Sequence, residues 1–187
     1  MKLSAVRAFC TPYYDDPIRH YHTFKHVKAM LDALNERNVL IPALELAIWG
    51  HDLIYDPTRH DNEERSAAVF GAWLTGQGAP FELRQEVEAL ILATRHDSPP
   101  TTPAAALLID ADLSVFGAPD EAFWTYERAI RQEYLHVPWP AYQAGRRVVL
   151  HHFLSRERIY TTPEFANLEA PAQAHLAAAL EALERSS

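Results

Sequence analysis

Apolar side chains recur at the spacing of an α-helix along most of the chain. One clear example follows the spacing i, i+3, i+4, i+7: Val27, Met30, Leu31 and Leu34. These four residues predict a core-facing helix that begins near Thr23. The same spacing recurs in later segments, and no two segments alternate apolar and polar residues as paired strands do. The pattern therefore predicts an all-α protein.

Residues typical of helix ends divide this pattern into elements. Pro42 fits the first turn of a helix that leads into His51 and Asp52. Residues 61–64 supply an N-cap and acidic first-turn side chains for the next helix, which Gly76-Gln-Gly78 ends. Pro80 opens another helix.

The second half of the chain predicts four more helices. Residues 104–115 are apolar and predict a buried helix, although Leu107-Leu108-Ile109 alone also fits a strand. The other three are marked by apolar residues at helical spacing: Phe123, Tyr126, Ile130 and Tyr134; residues 142–154; and Leu168, Ala172, Leu176, Leu180 and Leu183. A chain of 187 residues fits one domain, so a single-domain helical bundle over residues 1–187 is expected.

Charge and cysteine content limit the partners. The net charge of −8 opposes binding to a nucleic-acid backbone, whereas a small anionic substrate stays open. Cys10 is the only cysteine, so no intrachain disulfide can form. No apolar run is long enough to span a bilayer and the first residues do not resemble a signal segment, so a cytoplasmic protein is expected, with no membrane partner and no indicated oligomeric state.

Histidine and aspartate residues occur in three separate places. His22-x-x-x-His26 precedes His51-Asp52, and Asp110-Ala-Asp112 follows. We expect His22 and His26 to lie one turn apart on the same helix and to lean toward one face. Imidazole and carboxylate groups supplied by several helices can together bind a divalent transition metal. A buried carboxylate in the apolar segment around Asp112 also requires a cation or hydrogen-bond donors.

The order His…His-Asp…Asp resembles the motif that gives the HD superfamily of metal-dependent phosphohydrolases its name. Five blocks resemble a bacterial branch of predicted HD phosphohydrolases, and they occur in order: Arg19–His26, Trp49–Tyr55, Asp61–Ala67, Leu108–Leu113 and Ile130–Tyr134. The resemblance implies a helical bundle of the HD/phosphodiesterase type. It also implies hydrolysis of a small phosphate ester, such as a nucleotide, by a metal-activated water.

The resemblance also implies the metal ligands. They are His26, His51, Asp52 and Asp112, and they would hold one divalent transition metal: Mn, Zn, Fe, Ni or Co. Asp110 is the alternative to Asp112, but the family's Asp-Ala-Asp-Leu context gives the metal role to the second Asp. Asp52, together with the metal, is expected to activate the attacking water.

Two further residues are candidates for catalytic roles. In the related cyclic-nucleotide phosphodiesterases, the first His of a His-Asn-x-x-His motif donates a proton. Here Thr23 stands where that Asn is expected, so His22 is either a general acid or a ligand of a substrate oxygen. Glu63 or Asp61 could orient a ligand histidine or a metal-bound water, although both also fit the start of a helix.

Three residues are candidates for substrate binding. Arg19 and Arg131 each lie inside a matching block, and a guanidinium group suits a phosphate. His96 could contact substrate or a second metal, or simply end a helix. The last helix departs from related sequences, because Gln173 and His175 occupy a region where an Arg and an Asn are common.

The histidine content favours one metal over two. Related two-metal sites need two histidines between the His-Asp pair and the last Asp, and this chain offers only His60, in a polar loop, and His96. One metal predicts hydrolysis. The alternatives are a diiron oxygenase of the HD type and a non-catalytic module that senses a nucleotide.

Overall fold

The computed structural model describes residues 2–185, and every regular element in that range is helical. The predicted all-α class is confirmed. The chain divides into two compact units, of which the first ends at Ala111 and the second begins at Asp112.

The first unit is built around one apolar helix. Its elements are α1 (Leu3–Tyr14), α2 (Phe24–Glu36), α3 (Pro42–Gly50), α4 (Asn62–Gly76), α5 (Phe81–Ala93) and α6 (Pro103–Asp112). Helix α3 packs against α1, α2, α4 and α5. Seven of its nine residues are buried, as expected for a helix enclosed on all sides. Its carboxyl end, where His51 follows, is therefore buried inside this unit.

The end of α3 packs closely against its neighbours. A Cβ atom added to Gly50 would lie 2.5 Å from Cδ1 of Phe70 and 2.8 Å from Cδ1 of Ile91. Any larger residue at this position would displace the side chains of Phe70 on α4 and Ile91 on α5. This close packing fixes the position of His51, the next residue, relative to α4 and α5.

The predicted helix starts agree with the structure. The Thr23 side chain accepts a hydrogen bond from the Lys25 backbone N–H at 3.3 Å, so α2 begins just after Thr23 as expected. Pro42 is the first residue of α3, and Asp61 precedes α4 without a side-chain cap bond. The apolar segment predicted as a helix or a strand forms the helix α6.

Helix α1 lies outside the elements predicted from the sequence. Val6, Cys10 and Tyr14 are buried at i, i+4 and i+8 along it. Pro12 lies inside the helix, where its ring removes one backbone hydrogen bond. The packing of the buried residues offsets the loss of this hydrogen bond, and that packing depends on neighbours far away in the sequence.

The second unit consists of three helices and two short 3-10 helices. They are α7 (Asp120–Glu133), α8 (Trp139–Leu154) and α9 (Glu169–Arg185), with 3-10 helices at Leu113–Gly117 and Pro163–Leu168. His175 on α9 donates from Nδ1 to the Phe116 carbonyl at 2.8 Å, and its Nε2 lies 2.9 Å from Oδ1 of Asp120. His175, one of the two positions where the last helix differs from related sequences, thus joins α9 to the 3-10 helix at Leu113–Gly117 and to the start of α7.

A bilayer-spanning helix is not found among residues 2–185, because none is both long and apolar enough.

Candidate metal centre

His51 occupies the position that ends helix α3. Its side chain is 2% exposed, and its Nδ1 lies 2.9 Å from the Ile48 carbonyl oxygen. A carbonyl oxygen only accepts hydrogen bonds, so Nδ1 must carry the proton and donate it. In neutral His51, Nε2 then presents a lone pair. The contact with the Ile48 carbonyl therefore leaves Nε2 of neutral His51 able to coordinate a cation.

Two other potential ligand atoms lie close to Nε2 of His51. His26, on α2, places its own Nε2 3.2 Å from that of His51. Oδ2 of Asp52 lies 2.9 Å from Nε2 of His51 and 3.7 Å from Nε2 of His26. Two ligands that lie 3.2 Å apart subtend roughly 100° at a metal about 2.1 Å from each, which suits ordinary metal coordination.

Asp112 completes this group from the end of α6. Nitrogen atoms of His26 and His51 and a carboxylate oxygen of Asp112 all lie within 4.8 Å of one another, so the three residues could hold a metal ion. Asp112 is the last residue of α6. Asp110, two residues earlier on α6, is fully buried and is not part of the group.

The electrostatics of Asp52 favour the ionised carboxylate. Burial raises its pKa, but the adjacent charges of His51 and His22 and a hydrogen bond with His51 outweigh burial, and the pKa lies well below its usual range. Asp52 therefore stays negative at neutral pH. It contributes stability above the pKa of the unfolded chain, and this contribution is lost as the pH falls through the folded value.

His22 lies in the turn before α2 and not on the helix that carries His26. The prediction of a shared helix was wrong, because Thr23 caps α2 and the helix begins only at Phe24. His22 nevertheless faces the same site. The centroid of its ring lies 6.1 Å from that of His26. The ring also stacks on that of Tyr55, with 4.2 Å between the two centroids.

Arg19 lies in the interior next to the His51-Asp52 turn and is 7% exposed. Its NH1 donates to the Asp52 carbonyl at 2.6 Å and to the His22 carbonyl at 3.1 Å, and NH2 donates to the Leu53 carbonyl at 2.9 Å. The guanidinium group predicted to bind phosphate thus makes three bonds to the protein backbone.

Helix α4 holds the chain that follows Leu53. Ser66 accepts from the Ile54 N–H at 2.9 Å and donates to the Ile54 carbonyl at 3.2 Å. Asn62 accepts from the Asp56 N–H at 3.0 Å and donates to the Asp56 carbonyl at 2.9 Å. Asp61, in contrast, pairs with Arg59 at the surface through two contacts of 2.6 Å.

Glu63 lies half-buried in the first turn of α4 and close enough to sense the charge of Asp52. Burial raises the pKa of the Glu63 carboxyl. A hydrogen bond from its own backbone opposes this shift, and the charge of Asp52 reinforces it. The negative charge of Asp52 therefore disfavours ionisation of Glu63.

We expect Glu63→Gln to raise the melting temperature of the metal-free protein at pH 7. A raised folded pKa means that ionisation of Glu63 opposes folding above its unfolded value, near ~4.3, and glutamine removes that charge. The gain should be about 1–2 °C, because this half-buried group is screened by solvent. Thermal unfolding at pH 7 and below pH 4 measures it. The difference should vanish at the lower pH, and a decrease at pH 7 would contradict this interpretation.

His96 and Arg131 lie in different surroundings. His96 follows α5, where its φ of 58° places it in the left-handed region that few non-glycine residues adopt. Arg131 belongs to the second unit. There its NH1 donates to the carbonyls of Tyr134 and Val137 at 2.7 and 3.2 Å, which closes the end of α7.

Comparisons of the chain with known protein families, with curated proteins and with solved structures gave no match. The interpretation of the site therefore rests on its own geometry and chemistry.

Sequence reasoning missed the residues that hold this site together. They are Tyr14, whose hydroxyl donates to the Trp49 carbonyl at 3.0 Å, and the pair Asn62 and Ser66 on α4. The i, i+4 spacing of Asn62 and Ser66 was a usable indication, since it places both polar side chains on the face of α4 that carries Phe70.

Proposed function

We propose that this protein is a metal-dependent phosphohydrolase of the HD type. One observation carries the proposal: Nε2 of His26, Nε2 of His51 and Oδ2 of Asp52 converge within 2.9–3.7 Å. The Ile48 carbonyl fixes the proton of His51 on Nδ1, so neutral His51 has no proton to share with Asp52. When His51 is neutral, the lone pair on its Nε2 and the Asp52 carboxylate repel one another, and a metal cation between them, or a second proton on His51, relieves that repulsion.

The donor atoms fit a divalent transition metal such as Mn, Zn, Fe, Ni or Co. His26, His51 and Asp112 would hold it, with Asp52 as the fourth ligand. When bound, such a metal polarises a phosphoryl oxygen and lowers the pKa of a coordinated water toward ~7.

The protein's own side chains would handle the protons. Asp52 remains ionised and lies beside the ligand nitrogens, so it can orient the attacking water. Glu63, whose raised pKa makes it the stronger base of the two carboxylates, can accept the proton of that water. His22 faces the site from the turn before α2, so it can donate a proton to the leaving oxygen.

The substrate we propose is a small phosphate ester, with a nucleotide as the leading candidate. A net charge of −8 opposes the approach of a polyanion, but a metal ion supplies local positive charge for one phosphate group.

A phosphate-release screen tests this function. The purified protein would be incubated with nucleoside monophosphates, cyclic nucleotides and other esters, with each of the five metals in turn. Cyclic nucleotides are followed by separating the linear product. Asp52→Ala should abolish turnover, whereas Asp32→Ala, an exposed aspartate paired with Lys28 on α2, should leave it unchanged. Turnover that is equal in both variants would contradict the proposal.

We also expect chelation to lower the melting temperature of the protein. A ligand that binds only the folded state adds RT ln(1 + [L]/Kd) to the free energy of unfolding, or about 4 kcal/mol at a thousandfold excess over Kd. For a chain of this length that is a shift of roughly 10 °C. Scanning calorimetry with and without a chelator measures the shift. The Asp52→Ala variant should melt at one temperature in both buffers, and a chelator-independent melt of the unaltered protein would contradict the coupling.

A further inference from the structure

Arg19 is a buried cation with no acidic partner among its hydrogen bonds. Its guanidinium group donates to the carbonyls of His22, Asp52 and Leu53. It also lies over the rings of Tyr14 and Tyr55, at 5.2 and 5.6 Å from their centroids. Burying a charged group costs free energy, so we expect these hydrogen bonds and ring contacts together to have a role in the protein.

The three carbonyls belong to two segments that are far apart in the sequence. One is the turn that presents His22, and the other is the turn that presents Asp52 just after α3. The carboxyl end of a helix carries partial negative charge, so a cation is favourable there. The planar guanidinium group holds its donors at fixed angles and can join several acceptors in one geometry, whereas the three donors of a lysine ammonium rotate about a single atom.

We infer that Arg19 is a positioning residue for the metal centre and not a phosphate ligand. It fixes the turn of His22 relative to the turn of Asp52, so that the candidate proton donor and the candidate ligand keep one geometry. This inference rests on the proposed function, and it assigns Arg19 a role that requires no contact with substrate.

The surrounding contacts support this role. Tyr14 and Ser66 hold the same segment on either side of Asp52, through the carbonyl of Trp49 and the backbone of Ile54. Residues 49–56 therefore have side-chain partners from α1, from the segment before α2 and from α4.

The test compares Arg19→Met and Arg19→Lys with Arg37→Met. Methionine keeps the length of the apolar stem but removes every donor, and lysine keeps the charge without the fork. Arg37 is a suitable control, because its NH1 also donates to a backbone carbonyl, that of Ala33, at the far end of α2. Circular dichroism checks folding in each case.

Two measurements are made on each variant. Titration with Co²⁺ gives the affinity and the absorption spectrum, which reports the coordination geometry. Hydrogen exchange on the metal-free protein reports the backbone amides of Leu53, Ile54 and Asp56. We expect Arg19→Met to bind Co²⁺ about 10- to 100-fold more weakly with an altered spectrum, as is typical when a residue that orients ligands is lost. Those amides should also exchange at least ~10-fold faster.

The outcomes separate this inference from the function it rests on. Unchanged cobalt affinity, spectrum and exchange in the Arg19 variants would overturn the positioning role and leave the metal proposal standing. If Arg19→Met does not fold, Arg19→Lys decides in the same way. If the unaltered protein binds no Co²⁺, the metal proposal fails, and the exchange rates alone then decide whether Arg19 fixes the two turns.

Discussion

Replacing His51 or Asp52 with alanine is expected to remove the bound metal and, with it, all metal-dependent turnover. His51 supplies the Nε2 atom that lies within 3.2 Å of the His26 ligand atom and within 2.9 Å of Asp52. When either side chain is removed, the remaining ligands are too few to hold the ion, and their charge no longer balances that of the ion. Elemental analysis of protein purified without chelator should find about one equivalent of metal in the unaltered protein and almost none in either variant.

Matched controls separate loss of a ligand from general damage. His60→Ala removes an exposed histidine of the loop after Tyr55, and Asp32→Ala removes an exposed aspartate of α2. Both should keep the full metal content. Metal at the full level in His51→Ala and Asp52→Ala would show that these residues are not the ligands.

Replacing His22 with alanine should lower kcat about 100- to 10,000-fold while the metal content stays intact, as is typical for loss of a general acid. His22 has the required position, since its ring lies edge-on to that of His26, with 6.1 Å between the ring centroids, and stacks on the ring of Tyr55. His22→Gln keeps most of the volume but cannot transfer the proton, so it should show the same loss. Steady-state kinetics and metal analysis of both variants measure the two quantities.

The leaving group distinguishes proton donation from positioning. An aryl phosphate needs little protonation of its leaving oxygen, so the loss in His22→Ala should shrink for that substrate. Equal losses for good and poor leaving groups would assign His22 a binding role. Loss of the metal would make His22 a ligand, and His96 would become the next candidate for the proton donor.

The helices were predictable because their causes are local. The apolar spacing of α2, the proline at the start of α3 and the acidic first turn of α4 act within a few residues. The grouping of His26, His51 and Asp112 was predictable for a different reason. These groups are costly to bury alone, and their order resembles that of a known metal-binding family.

The support around these ligands could not be predicted in the same way. The sequence predicts Arg19 as a phosphate-binding residue, and its sequence neighbours give no indication of its hydrogen bonds to the carbonyls of Asp52 and Leu53. His22 was expected on the same helix as His26, but the cap at Thr23 starts the helix at Phe24 and leaves His22 in the turn before it. Helix α1 was missed because Pro12 lowers its local helix propensity, while the packing that offsets Pro12 is tertiary.

Anomalous X-ray diffraction from crystals of the metal-loaded protein tests the central claim most directly. Data collected on both sides of the absorption edge of the bound metal would locate it without assumptions about its ligands. We expect one peak about 2.0–2.2 Å from Nε2 of both His26 and His51, with carboxylate oxygens of Asp52 and Asp112 completing the protein ligands. No peak at this position in crystals grown with excess metal, or a peak held by other residues, would contradict the account.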